Sequence, residues 1–470
     1  MSISTYEYLS ILQARTKDAP KAETNTLDYI GLLESVRSSI AQNHADELGA
    51  ALDDPRAVQT LRTLILKYTT EYMAGADYDR DAMVERVYQD MAGLGILTRY
   101  LQDPTVEEIN INAFDFVEIQ RSTGMEYLYD DAAFASRESA LDIVKRMVRM
   151  GGKLLDAQTP HVDSFIGSST RISAHIPPLV SVDCGVTASI RKQIKSRITR
   201  EMLIEAGTAT GEMLDFLNLC LCNHTSIGIA GSTGSGKSTL ESYLVNEYIT
   251  CNEDHNNRIL TIEDTQELNL IKHDLENDRP ARVVSMFTQE SPVLVTMQDL
   301  TKDALRYHPN LIVPAEVRDG AVYQAMSAGR TGHTILTSFH ADSARDSYRR
   351  LVSMCHMADV NQSDDTLLTD CITAWPIIIF AKQLKDNTRK IMEIFEATGH
   401  KDGRVIGNTL YRFVVEDTIR DGRGHVIKVE GHHERVGCIS PALYLRLRDN
   451  GATDQFVKHL FPEATVEGAA

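Results

Sequence analysis

The sequence lacks any apolar run long enough to cross a lipid bilayer. Its longest clearly apolar stretch, AWPIIIFA, covers residues 374–381, whereas a membrane-spanning helix needs about 20 apolar residues. The first ten residues, MSISTYEYLS, have neither a basic start nor an apolar core, so they do not resemble a secretory signal peptide. These two absences predict a protein that remains in the cytoplasm.

Positive charge is scarce in the chain. Its 48 lysines and arginines stand against 66 aspartates and glutamates, which gives a formal net charge of −18. Such a chain repels the phosphate backbone of nucleic acids on average, although a local basic patch can override the average. We therefore expect no direct nucleic-acid partner.

The seven cysteines are few and scattered. The nearest pair, Cys220 and Cys222, lacks the two-residue gap and the second ligand pair of a zinc site. The cysteines therefore predict reduced thiols in the core of a cytosolic protein rather than a zinc site.

The remaining composition is that of a folded, multidomain protein. Hydrophobic residues make up 43% of the 470 residues, and a chain of this length suggests about three domains. Apolar residues recur three and four positions apart in AVQTLRTLILKYTTEYMAG, which predicts helices. Farther on, strands and helices alternate to about residue 360, which predicts a parallel sheet. The predicted organisation is a helical region at 1–92, an α+β domain at 93–196, a linker at 197–206, an α/β domain at 207–462 and a tail at 463–470.

A glycine-rich segment, GIAGSTGSGKSTL, covers residues 228–240. It fits the pattern G-x-x-x-x-G-K-[ST] and lies between a β-prone run and a helical run, which is the context of a phosphate-binding loop. Its glycines free N–H groups to face phosphate oxygens, its lysine neutralises the β- and γ-phosphates, and its serine offers a hydroxyl to Mg²⁺. The segment therefore predicts binding of ATP and Mg²⁺, with Ser238 as the metal ligand. The predicted nucleotide-binding residues are Gly231, Ser232, Thr233, Gly234, Ser235, Gly236, Lys237, Ser238 and Thr239.

Acidic and histidine side chains follow strand-like runs downstream of this loop. Glu263 ends the run RILTIE, and Glu316 follows LIVPA. A carboxylate at the carboxyl end of a parallel strand lies at the edge where α/β proteins bind ligands, but each is equally compatible with an ordinary acidic residue at a strand end. His333 and His340 flank the apolar run TILTSF, and a single histidine beside a strand is more often a surface or packing residue.

The order and spacing of four blocks resemble the secretion ATPase superfamily, which drives type II secretion, type IV pili and type IV secretion. GSTGSGKS is similar to its Walker A motif, TIEDTQEL to its Asp box, LTKDALRYHPNLIVPAEVRD to its Walker B motif and TGHTILTSFHA to its His box. Further segments between residues 93 and 461 look most like the CpaF branch, which serves Flp-type pili. The four-cysteine zinc module of the type II secretion members is missing from the sequence, which also favours this branch.

The resemblance implies a fold and a set of roles. We expect an α/β, RecA-like P-loop ATPase domain preceded by an α+β, PAS-like N-terminal domain and a helical region. Glu316 is the implied general base, Glu263 is implied to position water or metal, and His340 is implied to sense the γ-phosphate. Arg171 and Arg191 match positions at which N-terminal-domain arginines of the family reach the nucleotide.

The resemblance also implies the working form of the protein. We expect a homo-hexamer at the cytoplasmic face of the inner membrane, associated with the platform protein of a pilus or secretion system. ATP would lie between two lobes of the chain, and its hydrolysis would let them separate. Two alternatives stay open: a RecA-like nucleic-acid translocase, and a regulator that binds nucleotide without hydrolysing it.

The Walker B segment departs from the family pattern. Pro314 and Ala315 precede Glu316, where the family usually has an apolar strand ending in Gly-Glu. Because proline cannot donate a hydrogen bond to a neighbouring strand, we expect Pro314 to end or bend its strand. Asp342 after the His box is a smaller departure.

Overall fold

The computed structural model divides the chain into two compact units, Met1–Lys192 and Gln193–Ala470. It describes residues 29–44, 55–74, 78–91, 94–121, 124–166, 170–192, 197–251, 257–274, 279–289 and 293–465. The start of the predicted helical region, 1–28, and residues 466–470 of the predicted tail lie outside these described residues. Among the described helices, none is both long and apolar enough to span a bilayer.

Three helices open the first unit. They are α1 (Tyr29–Asn43), α2 (Pro55–Tyr72) and α3 (Arg80–Met91). Apolar residues spaced three and four apart form one stripe along a helix, and the three stripes meet in a small core that includes the fully buried Val36, Ile65 and Val87. The helices predicted for this region are therefore present within the described residues.

A six-stranded antiparallel sheet forms the rest of the first unit. Its strands are β1 (Val106–Ala113), β2 (Phe116–Arg121), β3 (Gly124–Tyr129), β4 (His161–Ile166), β5 (Thr170–His175) and β6 (Thr187–Lys192). Their spatial order is β3-β2-β1-β6-β5-β4. Helix α4 (Leu97–Gln102) precedes the sheet, and helix α5 (Arg137–Met150) packs on β4 and β5. This is the predicted combination of strands with one amphipathic helix.

A nine-stranded sheet is the centre of the second unit. Its strands are β7 (Ile227–Gly231), β8 (Ile259–Glu263), β11 (Val283–Phe287), β12 (Leu311–Pro314), β13 (Thr334–Phe339), β14 (Ile377–Gln383), β15 (Arg389–Lys401), β16 (Arg404–Arg420) and β17 (Val426–Arg435). The intervening β9 (His273–Asp274) and β10 (Arg279–Pro280) pair with each other. The order in the large sheet is β11-β8-β12-β13-β7-β14-β15-β16-β17.

The first six strands in this order are parallel, as the alternation of strands and helices predicts. Every residue of β7, β8 and β13 is buried, because helices cover both faces of a parallel sheet. The helices of this unit are α6 (Arg200–Glu205), α7 (Gly211–Cys222), α8 (Lys237–Thr250), α9 (Met297–Ala304), α10 (Ala321–Arg330), α11 (Asp346–His356), α12 (Asp364–Ala374), α13 (Pro441–Asp449) and α14 (Asp454–Leu460). Helix α6 lies in the stretch predicted as a linker.

The last three strands of the sheet are long and antiparallel, and the sequence does not reveal them. Register shifts between Ile394 and Phe395 and between Ala397 and Gly399 interrupt the pairing of β15 with β16. Such bulges break the alternation of apolar and polar residues by which a half-buried strand is recognised. The parallel sheet therefore continues into an antiparallel extension that starts at β14.

The prediction of reduced thiols is wrong for two of the cysteines. Cys222 and Cys251 form a disulfide, with their Cα atoms 6.5 Å apart. Cys222 is the last residue of α7, and Cys251 follows the last residue of α8. Because these two helices pack against each other, residues that are distant in sequence meet at their ends. The free cysteines are Cys184, Cys220, Cys355, Cys371 and Cys438.

Candidate functional site

The glycine-rich segment joins the carboxyl end of β7 to the amino end of α8. A Cβ at Gly231 would lie 2.3 Å from the carbonyl oxygen of Ala381 and 2.6 Å from the Oγ of Ser235, so only glycine fits there. Gly236 precedes the helix with φ 91°, a left-handed conformation that glycine adopts without strain. The segment therefore closes into a tight loop at the positive end of a helix dipole, where anions are favoured.

Lys237 folds back into this loop and is only 8% exposed. Its Nζ donates to the carbonyl oxygens of Gly231 at 3.0 Å and Ser232 at 3.1 Å. A buried ammonium needs such partners because desolvation of an unpaired charge is costly. The loop thus holds one positive charge within reach of any anion that binds to its N–H groups.

His340 links the loop to Glu316. Its Nδ1 lies 3.0 Å from the carbonyl oxygen of Gly231 and 3.5 Å from the Nζ of Lys237. Its Nε2 lies 2.9 Å from Oε1 of Glu316. His340 follows β13, which lies between β12 and β7 in the sheet, so three neighbouring strand ends bring these side chains together. His333, at the other end of β13, is not part of this group; its Nδ1 lies 3.4 Å from Oγ1 of Thr331.

Pro314 is the last residue of β12, which confirms the expectation that it ends its strand. The chain nevertheless stays beside the sheet. Ala315 N–H donates to the carbonyl oxygen of Ile262 at 2.9 Å, and Glu316 forms an isolated bridge with Ser338. The proline therefore does not displace Glu316 from the edge at which the phosphate loop lies.

Ser238 contacts a carboxylate that the sequence analysis did not single out. The Ser238 hydroxyl donates to Oε2 of Glu267 at 3.1 Å. Glu267 lies four residues after Glu263, and the repeated acidic spacing in TIEDTQEL is the signal that could have identified it. Among the described residues, no three His, Cys, Asp or Glu side chains could hold a metal ion together.

Glu263 is occupied by backbone hydrogen bonds. Its Oε2 accepts from the N–H groups of Glu267 at 2.6 Å and Leu268 at 2.8 Å, and its side chain is buried. Burial raises the pKa of the Glu263 carboxyl, and the two amide hydrogen bonds act in the opposite direction. In this arrangement Glu263 fixes the turn that presents Glu267 to Ser238.

A second buried glutamate, Glu241, lies one helical turn after Lys237 in α8. Its side chain is 0% exposed, and neither carboxyl oxygen has a hydrogen-bond partner in the described part of the chain. Burial raises the pKa of the Glu241 carboxyl well above its ordinary value, and the carboxylates of Glu263, Glu267 and Glu316 raise it further. Glu241 therefore binds a proton on folding at pH values where the unfolded chain has lost it.

Replacing Glu241 with glutamine is expected to stabilise the protein, and more so at high pH. Because the folded state binds the extra proton, the free energy of unfolding falls by about 1.4 kcal/mol per pH unit above the ordinary carboxyl pKa, until the raised pKa is passed. The neutral glutamine amide removes this fall in the free energy of unfolding at high pH. Thermal melting at pH 6 and pH 8.5 tests it, with Glu205→Gln, an exposed site, as the control. An equal melting temperature for wild type and variant at pH 8.5 would contradict the assignment.

Arg171 and Arg191 lie in the first unit. They are directly opposite each other on neighbouring strands β5 and β6, and both are exposed. Arg171 has an acidic neighbour in Asp163, with Nη2 3.9 Å from Oδ2. Their implied contact with a nucleotide stays a prediction.

Comparison with known proteins identifies the family. The family model described as Type II/IV secretion system protein matches residues 93–410. The conjugal transfer protein TrbB of Rhizobium radiobacter is 27% identical over 308 residues, which cover 64% of this chain and 87% of TrbB. An uncharacterized protein of Methanocaldococcus jannaschii is 28% identical over 305 residues, which cover 63% of this chain and 40% of that protein. The chain thus spans less than half the length of this second relative.

Among solved structures, the VirB11 ATPase of the Brucella suis type IV secretion system, in complex with sulphate, has 23% sequence identity and a TM-score of 0.34. The comparison covers 64% of this chain and 95% of that one. The family match covers more than half of the 470 residues and includes all four blocks from GSTGSGKS to TGHTILTSFHA. The chain therefore belongs to the type II/IV secretion system protein family.

Proposed function

We propose that the chain hydrolyses ATP to power a type IV secretion or conjugation apparatus, or a Flp-like type IV pilus. The observation that carries this proposal is the contact of His340 with the phosphate loop on one side and Glu316 on the other. A lysine that binds phosphate and a carboxylate that positions water are two of the groups that nucleotide hydrolysis uses. The family match and the relative named as a conjugal transfer protein support the choice of apparatus.

In this proposal Glu316 accepts the proton of the attacking water. Its carboxylate is 40% exposed, so water reaches it, and His340 ties it to Gly231 O in the loop. Lys237 exchanges its carbonyl partners for phosphate oxygens and stabilises the charge that develops there. His340 couples the phosphate loop to Glu316, because it contacts both and a shift of the Gly231 carbonyl is transmitted to Glu316.

Mg²⁺ supplies neutralisation of the phosphate charge when it is bound. Ser238 fits as its ligand, and Glu267 fits as the acid that orients the surrounding water, since the two side chains are already hydrogen-bonded. Glu263 acts through the backbone of Glu267. The donor set is one hydroxyl and carboxylate oxygens, which are the ligand types that Mg²⁺ prefers.

The finer parts of the proposal concern the assembly. We take the second unit as a RecA-like domain, the sheet of the first unit as a PAS-like domain, and the chain as a homo-hexamer of the CpaF type bound to an inner-membrane platform protein from the cytoplasmic side. Arg171 and Arg191 then serve as N-terminal-domain contacts to nucleotide. Their exposure and their adjacency on one face of the sheet support this use.

The test is phosphate release by the purified full-length chain. We expect steady release of phosphate from ATP with Mg²⁺ and none in excess chelator, because the polyphosphate charge is then not neutralised. Binding of a fluorescent ATP analogue without phosphate release would contradict the proposal and support a nucleotide-binding regulator. Stimulation by single-stranded DNA with a steep salt dependence would support the translocase instead.

A further inference from the structure

The hairpin between β14 and β15 contacts the apex of the phosphate loop. Arg389, the first residue of β15, donates from Nε to the carbonyl oxygen of Gly234 at 2.9 Å. A Cβ at Gly234 would lie 3.0 Å from Oε1 of Gln383, the last residue of β14, and a Cβ at Gly236 would lie 3.3 Å from Cδ of Arg389. Both ends of the hairpin therefore pack against glycines of the loop.

The hairpin turn is itself fixed. Leu384 N–H donates to the carbonyl oxygen of Thr388 at 2.8 Å. Asp386 accepts from the N–H of Thr388 at 3.0 Å and from the N–H of Val429, in β17, at 2.7 Å. The sheet extension therefore sets the position of Arg389, and the arginine brings a rigid donor to the loop.

The contact decides how one peptide unit of the loop is oriented. Gly234 has φ 78°, and a loop with several glycines can turn its peptide units either way at little cost. In a trans peptide the carbonyl and the following N–H point in opposite directions. By holding the carbonyl of Gly234, Arg389 fixes the orientation of the next N–H, that of Ser235, which donates to the carbonyl oxygen of Ser232 at 3.3 Å within the loop.

The charges around the phosphate loop also favour a cation at the position of Arg389. The carboxylates of Glu263, Glu267 and Glu316 are close enough to Glu241 in the same site to raise its pKa, and Lys237 opposes them. A polyphosphate adds further negative charge to this group. Arg389 places a second cation at the loop, and a guanidinium remains charged at any physiological pH.

We propose that Arg389 is a positioning residue for the phosphate loop, which keeps the loop N–H groups directed at the polyphosphate part of a nucleotide. The proposal rests on the proposed function. Because Arg389 orders the loop before the nucleotide arrives, its loss affects binding rather than the chemical step, in which Glu316 acts.

The experiment measures binding of a fluorescent ADP and the kinetics of phosphate release in the full-length chain. Arg389→Ala is expected to weaken ADP binding about tenfold, the value of one hydrogen bond from a charged donor, and to raise KM for ATP similarly. The kcat at saturating ATP should stay within about threefold. Arg389→Lys, which keeps a charged donor on a stem of similar length, should recover most of the binding.

Lys385→Ala is the matched control, since Lys385 is an exposed cation in the same turn and has no part in the Gly234 contact. It should bind ADP like the wild type. The proposal would be overturned if Arg389→Ala bound ADP with wild-type affinity, or if Lys385→Ala lost as much ADP affinity as Arg389→Ala. It would also be overturned if Arg389→Lys bound ADP no more tightly than Arg389→Ala. If Arg389→Ala melts at a lower temperature than the wild type, ADP binding by Arg389→Lys is compared with that of the wild type instead. A wild-type chain that binds no nucleotide would contradict the proposed function instead.

Discussion

Replacing Lys237 with alanine is expected to lower the rate of ATP hydrolysis at least about 100-fold. The change removes the charged donor that the loop holds at the Gly231 and Ser232 carbonyls. Charged hydrogen bonds to a phosphate oxygen are among the strongest in proteins, and loss of one donor that stabilises developing charge commonly costs two to three orders of magnitude, about 3–4 kcal/mol. Steady-state phosphate release with Mg²⁺ and ATP is the measurement.

Lys302→Ala provides the control for this prediction, because Lys302 is an exposed lysine of the same unit in α9. Its activity should match the wild type. Lys237→Met, which keeps the apolar stem, separates loss of the charge from loss of packing, and thermal melting of all variants reports on folding. Hydrolysis by a well-folded Lys237→Ala at more than about a third of the wild-type rate would mean that the loop is not the catalytic phosphate site.

The phosphate loop and the parallel part of the sheet could be predicted because each is a local pattern. The motif from Gly231 to Ser238 is contiguous, and alternating strands and helices are read in order along the chain. Glu316 and His340 were identified only through resemblance to a family, since a single acid or histidine at a strand end has several uses. The direct contact between Glu316 and His340 exists because β12 and β13 are neighbours in the sheet. The order of strands along the chain does not tell which strands are neighbours in the sheet.

The features that escaped prediction are contacts between distant parts of the chain. Arg389 and Gly234 are 155 residues apart, and the disulfide joins Cys222 to Cys251 across two helices. The burial of Glu241 could not be predicted from the sequence for a different reason. A glutamate in a helix is expected at the surface, but α8 is buried over most of its length, so the usual meaning of a charged residue does not apply there.

Replacing Glu316 with glutamine is expected to separate nucleotide binding from hydrolysis. The amide has the size of the carboxylate and keeps an oxygen for His340 Nε2, which lies 2.9 Å from Oε1 of Glu316. What it loses is the ability to take a proton from water. General-base catalysis contributes about 10²- to 10⁴-fold, so phosphate release should fall by at least about 100-fold while ATP binds with wild-type affinity.

The comparison of binding with turnover decides what Glu316 does. Glu205→Gln, the same chemical change at an exposed position at the end of α6, should leave both quantities unchanged. If Glu316→Gln lowered ATP affinity and turnover together, Glu316 would be holding His340 and the loop in place, because its loss would act through the Gly231 contact. Retained affinity with lost turnover requires that the carboxylate act on water, since the amide preserves every contact that the side chain makes with the loop through His340.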